Sequence, residues 1–157
     1  MAAPVGASLS IEGPFGSLTL HNNRSRRAVF IAGGIGITPF MSMLRHASAE
    51  KLPGEFVLDY SNRRPQDAAF LEELQGLADR AANFKFVPTM TQARDSDCWN
   101  AETARVDATF LKRAAGDLAG SVCYVAGPPG LVAGARQALN QAGVDDDDIR
   151  GEEFFGY

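Results

Sequence analysis

Residues 28–40 limit what this chain can fold into more than any other segment. Five apolar or small residues lead into a turn that contains Gly33, Gly34 and Gly36. The pair Thr38-Pro39 follows the turn. This order is typical of a buried strand, a tight turn of bare backbone and a helix that Thr38 caps, with Pro39 in its first turn. Free N–H groups at such a helix start favour a phosphate group. The glycine spacing departs from G-x-G-x-x-G, so a turn in which glycine serves packing alone stays open as the alternative.

Segments with strand and helix patterns alternate from residue 28 onward. Strands are predicted over 28–32, 56–60, 84–87, 122–126 and 149–155. Helices are predicted over 39–49, around an apolar face of Phe70, Leu71, Leu74 and Leu77, over 107–115 behind an Asp107 cap, and over 131–142. The polar residues 89–104 predict a long loop around Trp99, which is interpreted as a packing residue. Repeated βα units predict an α/β fold, a doubly wound parallel five-stranded sheet with helices on both faces.

The residues before this domain have a different pattern. Ser8–Ile11 and Ser17–Leu20 alternate like short strands on either side of a Gly13–Gly16 turn. The basic residues 21–27 then favour a solvated linker. We therefore expect residues 1–26 to be the end of another module with its linker, and residues 27–157 to form the main domain.

Composition excludes several classes of protein. The 157 residues carry a net charge of −4, which argues against a nucleic-acid-binding module. No apolar run approaches the roughly 20 residues that span a bilayer, and the first residues lack a signal-peptide pattern, so a cytoplasmic location is expected. Two cysteines favour neither a disulfide framework nor a zinc site. The acidic run 145–148 is interpreted as a solvated turn, and no metal site is predicted.

Three turns with special residues follow predicted strands. They are Gly33–Thr38 after the first strand, Ser61–Arg64 after the second and Gly127–Gly130 after the fourth. Because ligands of parallel α/β sheets bind beyond the carboxyl ends of the strands, these turns predict one shared ligand site. Arg63 and Arg64 in the second turn could also be a solvated pair at a helix entry.

The motifs resemble those of a known family. They are Gly33-Gly34-Ile35-Gly36-Ile37-Thr38-Pro39-Phe40, Tyr60-Ser61-Asn62-Arg63, Gly127-Pro128-Pro129-Gly130 and Glu152-Glu153-Phe154. Over residues 28–157, in this order, the chain resembles the C-terminal NAD(P)-binding domain of the ferredoxin–NADP reductase family. The Gly13–Gly16 turn resembles the last turn of that family's flavin-binding barrel. We therefore expect a short N-terminal β remnant of the barrel, whose remainder would lie in another chain or be missing.

The resemblance implies an oxidoreductase in which a hydride passes from NAD(P)H to FAD or FMN, and electrons then pass to a protein or small acceptor. A flavin-binding domain or subunit is the implied partner, FAD is expected only with it, and a ferredoxin-like protein is one candidate acceptor. NADP(H) is favoured over NAD(H), because Ser61 and Arg63 suit a 2′-phosphate where the resemblance implies the adenosine ribose. The implied cofactor contacts are Gly33, Gly34, Gly36, Thr38 and Pro39 at the pyrophosphate, Ser61, Asn62 and Arg63 at the adenosine ribose, and Gly127, Pro128, Pro129 and Gly130 beside the nicotinamide.

The C-terminal residues are implied to act at the flavin. By resemblance, Phe154 stacks on the flavin and Glu152 is the carboxylate before it, while Tyr157 is a second candidate for stacking. The alternative, in which Phe154 only covers the core, stays open. Ala126 stands where many family members carry a cysteine near the hydride-transfer site, so no thiol role is expected, and Cys123 is interpreted as a core residue.

Two other functions stay open at this stage. One is a stand-alone nucleotide-binding or sensing module without catalysis, and the other is a subunit of an electron-transfer complex. In any of these, Gly36→Val is expected to crowd the turn and abolish nucleotide binding while leaving the fold largely intact.

Overall fold

The computed structural model describes residues 4–8, 10–13, 16 and 18–155. In these residues the strands are β1 (Ala28–Gly33), β2 (Phe56–Asn62), β3 (Phe84–Met90), β4 (Val122–Gly127) and β5 (Ile149–Glu153). The α-helices are α1 (Ile37–Ala49), α2 (Leu71–Arg80), α3 (Ala108–Ala115) and α4 (Pro129–Gln141). Short 3-10 turns lie at Gly34–Gly36, Pro65–Asp67, Asp95–Asp97 and Asp146–Asp148. Strands and helices therefore alternate as predicted.

The strands form one parallel sheet in the order β3-β2-β1-β4-β5. The chain adds β2 and β3 on one side of β1, and then β4 and β5 on the other side. The switch point of the sheet therefore lies between β1 and β4, where Ala32 is paired with Ala126. Sheets of this kind open a crevice at the carboxyl ends of the two strands that flank such a switch point. The crevice is therefore expected between the ends of β1 and β4.

Each face of the sheet has its own apolar core, because successive side chains of a strand point to opposite faces. On the first face, α1 and α2 pack over residues such as Phe30 of β1. On the second face, α3 and α4 pack over residues such as Val29. The prediction of a doubly wound five-stranded sheet with helices on both faces is confirmed.

The start of α1 differs from the prediction. Gly36, not Thr38, is the N-cap residue, and the Thr38 hydroxyl donates to the carbonyl of Ile35 at 3.0 Å. The 3-10 turn leads directly into the helix, since the Ile37 N–H already donates to the carbonyls of Gly34 and Ile35. The prediction of Thr38 as the cap is therefore wrong, whereas Asp107 does cap α3 and accepts from the Phe110 N–H at 2.7 Å.

Two further boundaries depend on contacts that are distant in sequence. Phe70 precedes α2 in a left-handed conformation (φ 59°) and is 40% exposed beneath the Arg45 guanidinium, so it does not share the buried face of Leu74. Strand β3 continues to Met90, whose N–H donates to the Glu102 carbonyl at 3.0 Å. The predicted loop thus supplies backbone partners that extend the strand. At the C-terminus, β5 ends at Glu153 rather than residue 155.

The N-terminal segment also differs from the prediction. Among the described residues of 4–26 no strand forms, although short strands were predicted at 8–11 and 17–20. A two-stranded pair without further partner strands is only marginally stable. Residues 14 and 15 of the predicted turn lie outside the described residues. The division of the chain at residues 26 and 27 stays a prediction.

The linker is bound to the domain rather than solvated. Arg26 pairs with Asp148 at 2.6 Å and donates to the Gly120 carbonyl at 2.8 Å, and Arg27 donates to the Ala115 carbonyl at 2.8 Å. These long side chains find backbone acceptors that only the folded sheet brings near them. The prediction of a solvated linker is therefore wrong.

Neither a bilayer-crossing helix nor a cluster of metal ligands occurs in the described residues. Among them, no helix combines the length and the apolar character that a bilayer crossing requires. Within the acidic run, Asp146 pairs with Arg136 at 3.0 Å and Asp148 pairs with Arg26. Nowhere in the described part of the chain do three His, Cys, Asp or Glu side chains come together as metal ligands. The cytoplasmic location stays a prediction.

Candidate functional site

An open cleft of about 450 Å³ lies at the switch point, and all three predicted turns line it. The lining residues that were predicted are Gly33, Gly34, Ser61, Asn62, Arg63 and Pro128. The others are Ile35, Arg64, Asp67, Thr91 and Leu131. The convergence of the three turns on one edge of the sheet is confirmed, and the cleft has the volume of a small-molecule site.

The turn after β1 leaves its backbone bare toward the cleft. Gly34 has φ +52°, and no atom lies within 4 Å of the place where a side chain would begin. The buried Tyr60 donates its hydroxyl to the Gly34 carbonyl at 3.1 Å, which holds the turn from inside the domain. Behind it, Gly127 approaches Gly33 so closely that a Cβ on Gly127 would lie 3.0 Å from the Gly33 oxygen. A ligand can therefore reach a fixed stretch of main chain.

Gly36 has a different environment. It is buried, and a Cβ on it would lie 2.2 Å from the carbonyl oxygen of Ala126 and 2.6 Å from the nitrogen of Gly127. Glycine is thus required here because the turn packs directly on the backbone of β4. The expectation that Gly36→Val leaves the fold intact is wrong, and a cofactor contact of Gly36 stays a prediction.

The rim of the cleft at β2 is basic. Arg64 pairs with Asp67 at 3.4 Å, whereas the exposed guanidinium of Arg63 has no ion-pair or hydrogen-bond partner among the residues that the structure describes. The main chain beneath it is fixed, because the carbonyl of Arg63 accepts from the Gln92 N–H at 2.8 Å. Arg63 therefore presents a free cation on a firmly held strand end.

A second cleft of about 310 Å³ continues from the first. The two share Ser61, Thr91 and Leu131, and the second adds Arg105, Val106, Gly130, Gly134 and Ala135. The sequence analysis missed Thr91, Leu131 and Arg105. Thr91 follows β3 and could have been found by extending that strand to Met90. Arg105 reaches the cleft because a bridge between Thr89 and Glu102 brings its loop to the sheet, a contact that no local pattern predicts.

Several predicted cofactor contacts do not line either cleft. Thr38 lies exposed on α1, and Pro39 lines a separate groove beside Leu18 and Leu20. Pro129 is half-buried as the first residue of α4. Cofactor contacts of these three residues stay predictions.

The predicted catalytic residues lie at the end of β5, the edge strand that pairs with β4. Glu152 is exposed on β5 and is paired in register with Ala126. Phe154 is half-buried against the first-face core, and its N–H donates to the Gly127 carbonyl at 2.9 Å. The packing of Phe154 fits the alternative in which it covers the core. Tyr157 lies outside the described residues.

Two residues with weaker predictions are accounted for by packing. Cys123 is fully buried, and burial raises the pKa of its thiol to about 12, so it stays protonated as a core side chain. Trp99 is half-buried and donates its ring N–H to the Glu102 carbonyl at 2.9 Å. Both interpretations made from the sequence agree with these contacts.

Asn62 is the one cleft-lining residue with buried polar atoms that have no partner among the described residues. Only 6% of Asn62 is exposed, and neither its amide oxygen nor its amide nitrogen makes a hydrogen bond there. An unsatisfied buried polar group costs about 1–3 kcal/mol. Such a group in a native structure calls for an explanation, such as a functional role or a bound water or ion.

Sequence comparison places the chain among oxidoreductases. The family model described as "Oxidoreductase NAD-binding domain" matches residues 30–137. The chain is 30% identical over 153 residues to the reductase component of propane 2-monooxygenase from Rhodococcus jostii (strain RHA1), covering 96% of this chain and 41% of that protein. It is 27% identical to the reductase component of phenol 2-monooxygenase from Pseudomonas sp. (strain CF600), covering 96% of this chain and 43% of the relative. The chain thus spans about two fifths of these relatives.

Solved structures share the fold. The flavohemoglobin from Malassezia yamatoensis with bound FAD and heme has a TM-score of 0.77 and 27% identity, over 90% of this chain and 36% of that one. The ferredoxin reductase in carbazole 1,9a-dioxygenase has a TM-score of 0.74 and 25% identity, over 91% and 42%. The resemblance to the C-terminal domain of ferredoxin–NADP reductases is confirmed, and the chain belongs to the oxidoreductase NAD-binding domain family.

Proposed function

We propose that this chain is the NAD(P)H-binding domain of a flavin-dependent oxidoreductase. The observation that carries the proposal is the switch-point cleft. It is lined by the bare turn at Gly34 together with Arg63 and Asn62, whose side chains have no hydrogen-bond partner among the described residues. The names of the relatives, which are reductase components of monooxygenases, support the same activity.

The residues of the cleft fit the parts of a dinucleotide. Gly33 and Gly34 would let the pyrophosphate approach the main chain, as in other α/β sheets with a glycine turn at the switch point. The Pro128–Gly130 turn would border the nicotinamide. When bound, the nicotinamide supplies the hydride, and the protein contributes binding and orientation.

Asn62 would meet the adenosine ribose together with Ser61. A ribose hydroxyl both donates and accepts hydrogen bonds, so it suits an amide that has no partner among the described residues on either its oxygen or its nitrogen, once the Asn62 side chain turns toward the cleft. Hydrogen bonds between the ribose and the amide would remove the free-energy cost of the unsatisfied amide, and so they would favour binding.

The flavin and the acceptor belong to partners of this chain. The proposed partner is a flavin-binding domain or subunit that carries FAD, and it would face Glu152 and Phe154 at the end of β5, next to β4. Tyr157 remains a candidate for stacking. The proposed acceptor is an oxygenase component or a ferredoxin-like protein, on the strength of the relatives' names.

NADP(H) is the proposed cofactor. Arg63 offers a guanidinium that has no partner in the described part of the chain, at the proposed ribose end of the cleft. A guanidinium matches a phosphate in geometry and charge. The acidic Asp59 of β2 is fully buried and does not line the cleft, so it cannot select the free 2′-hydroxyl of NAD(H).

Calorimetric titration of the chain with NADPH and NADH tests the proposal. The wild type is expected to bind both, NADPH more tightly. Arg63→Ala should weaken NADPH at least about tenfold, because a hydrogen bond to a charged group contributes about 1.5–3 kcal/mol. Its effect on NADH should be small.

Arg80→Ala is the matched control, since Arg80 lies exposed at the last position of α2, away from the cleft residues. It should leave both affinities unchanged. Equal losses for NADPH and NADH in Arg63→Ala would remove the argument for the 2′-phosphate. Failure of the wild type to bind either nucleotide would refute the proposed function.

A further inference from the structure

His21 makes three hydrogen bonds, two of which join the N-terminal segment to the sheet. Its backbone N–H and its ring Nδ1 both lie 2.8 Å from the hydroxyl of Tyr124, a fully buried residue of β4. Its ring Nε2 lies 3.0 Å from the carbonyl of Arg26. The imidazole also stacks on the Tyr124 ring, with 6.1 Å between centroids. One side chain thus connects the segment to the middle of the domain.

The partners fix the protonation state of the ring. A carbonyl only accepts, so Nε2 carries the hydrogen and donates to Arg26. In the neutral ring Nδ1 is then the acceptor of a hydrogen bond that the Tyr124 hydroxyl donates. That hydroxyl in turn accepts from the His21 N–H, so every polar group of the cluster is satisfied. A second proton on Nδ1 would leave the buried hydroxyl hydrogen without an acceptor, which is costly.

The same cluster positions the residues before His21. Arg150 of β5 lies over the Tyr124 ring, 5.6 Å from its centroid, and donates to the Thr19 carbonyl at 2.9 Å. Leu18 and Leu20 pack against the first-face core. The segment therefore covers the β4 side of that face, where its course depends on the His21 and Arg150 contacts.

We propose that His21 and Tyr124 form a pH-sensitive latch, which holds residues 18–21 on the sheet while His21 is neutral and releases them when it is protonated. The latch would fix the place where the segment leaves the sheet at residue 18. It is independent of the proposed nucleotide binding, because it lies on the first face and uses none of the cleft residues.

The charges around His21 favour the neutral ring. Arg24 and Arg26 of the linker and Arg150 of β5 face it, and Asp148 is paired with Arg26. Burial, followed by these arginines, holds the pKa of His21 below its usual 6.5, although the bond to Arg26 opposes the shift. The unfolded chain thus takes up the proton first, so the latch contributes its full stability above pH 6.5 and loses it as the pH falls through the lowered pKa.

Nuclear magnetic resonance of the imidazole nitrogens tests the latch on the chain without ligand. The chain has two histidines, and the spectrum of His21→Asn identifies which imidazole signals belong to His21. His21 is expected as the Nε2–H tautomer near neutral pH and should titrate below 6.5, the ordinary histidine pKa. An Nδ1–H tautomer, or titration at or above pH 6.5, would overturn the proposal.

Hydrogen exchange tests the release. After correction for intrinsic rates, the protection of the His21 amide should fall at least about fivefold between about pH 7.5 and pH 4.5 in the wild type. His21→Asn places an untitratable amide near the position of Nδ1 and should abolish this pH dependence, whereas His46→Asn should keep it. In Tyr124→Phe the protection should be low at both pH values.

The amide of Leu74, which donates to the Phe70 carbonyl, reports on the domain. It should stay protected throughout, which separates release of the segment from general unfolding. The latch would be refuted if the protection of the Leu74 amide fell as much as that of the His21 amide. It would also be refuted if the protection at residue 21 depended on pH in His21→Asn as it does in the wild type. Neither outcome bears on nucleotide binding, which the titrations above measure separately.

Discussion

Asp59 is a buried acid that makes the stability of the fold depend on pH. It lies in β2 between Ile31 of β1 and Val87 of β3. It is fully buried, and neither carboxyl oxygen has a hydrogen-bond partner among the described residues. Burial raises the pKa of this carboxyl from 3.8 to about 7, with only partial opposition from Lys85. In the folded domain Asp59 is therefore protonated over most of the acid range.

The sign of the pH dependence follows from this raised pKa. Between 3.8 and about 7 the folded chain holds a proton that the unfolded chain has lost, so the free energy of unfolding falls as the pH rises. Asp59→Asn removes this dependence. In urea unfolding, the stability of the variant relative to the wild type should increase by at least about 1.4 kcal/mol from about pH 5 to pH 8.

Asp79 provides the matched control, because it is exposed on α2. Asp79→Asn should differ from the wild type by less than about 0.5 kcal/mol at both pH values. If the difference between Asp59→Asn and the wild type were the same at both pH values, Asp59 would not be the group responsible.

The glycine turn and α1 depend on one close contact with β4. The turn places Gly36 on the main chain at Ala126, while α1 continues directly from it. A side chain at this position cannot be accommodated by a rotamer change, since the atoms that it would meet are backbone. The distance between α1 and the sheet is therefore set by the absence of a Cβ.

A pair of glycine substitutions tests this dependence. Gly36→Ala should lower the free energy of unfolding by about 1–3 kcal/mol or more, as overpacking does. Gly134→Ala should raise it by about 0.5–1 kcal/mol, because Gly134 lies exposed inside α4 with open space around its Cα, and alanine is the better helix former. Urea unfolding measures both, and a Gly36→Ala variant as stable as the wild type would contradict the packing argument.

The domain is completed on its first face by residues 18–27. All described residues before Leu18 are exposed, whereas Leu18 and Leu20 pack on the core and Arg26 and Arg27 bind carbonyls at the base of the sheet. The stable unit should therefore begin near residue 18, some residues earlier than the boundary predicted from composition.

Truncation tests where the unit begins. A chain that starts at residue 18 should keep the free energy of unfolding within about 0.5 kcal/mol of the full chain. A chain that starts at residue 28 should lose about 1–3 kcal/mol or more, because the Tyr124 hydroxyl is left buried without His21. Equal stability of the two truncated chains would show that residues 18–27 only lie on the surface.

The sequence was sufficient for the parts of the structure that local patterns specify. The five strands, the helices between them and the cap at Asp107 follow from apolar periodicity and from the residue types at their ends. The meeting of the three turns in one cleft follows from the parallel order, since the carboxyl ends of such strands share an edge.

Tertiary structure decided what depends on groups far apart in the chain. Gly36 must be a glycine because it packs on the backbone of Ala126. Strand β3 continues to Met90, whose N–H donates to Glu102, and His21 is attached through Tyr124. A local pattern cannot reveal these roles, because a close backbone approach or a hydrogen bond to a distant partner leaves no periodic trace in the sequence. Residue types alone therefore identified the domain and the edge that carries its cleft, whereas the packing of the sheet determined that Gly34 lines the cleft and that Gly36 packs on β4.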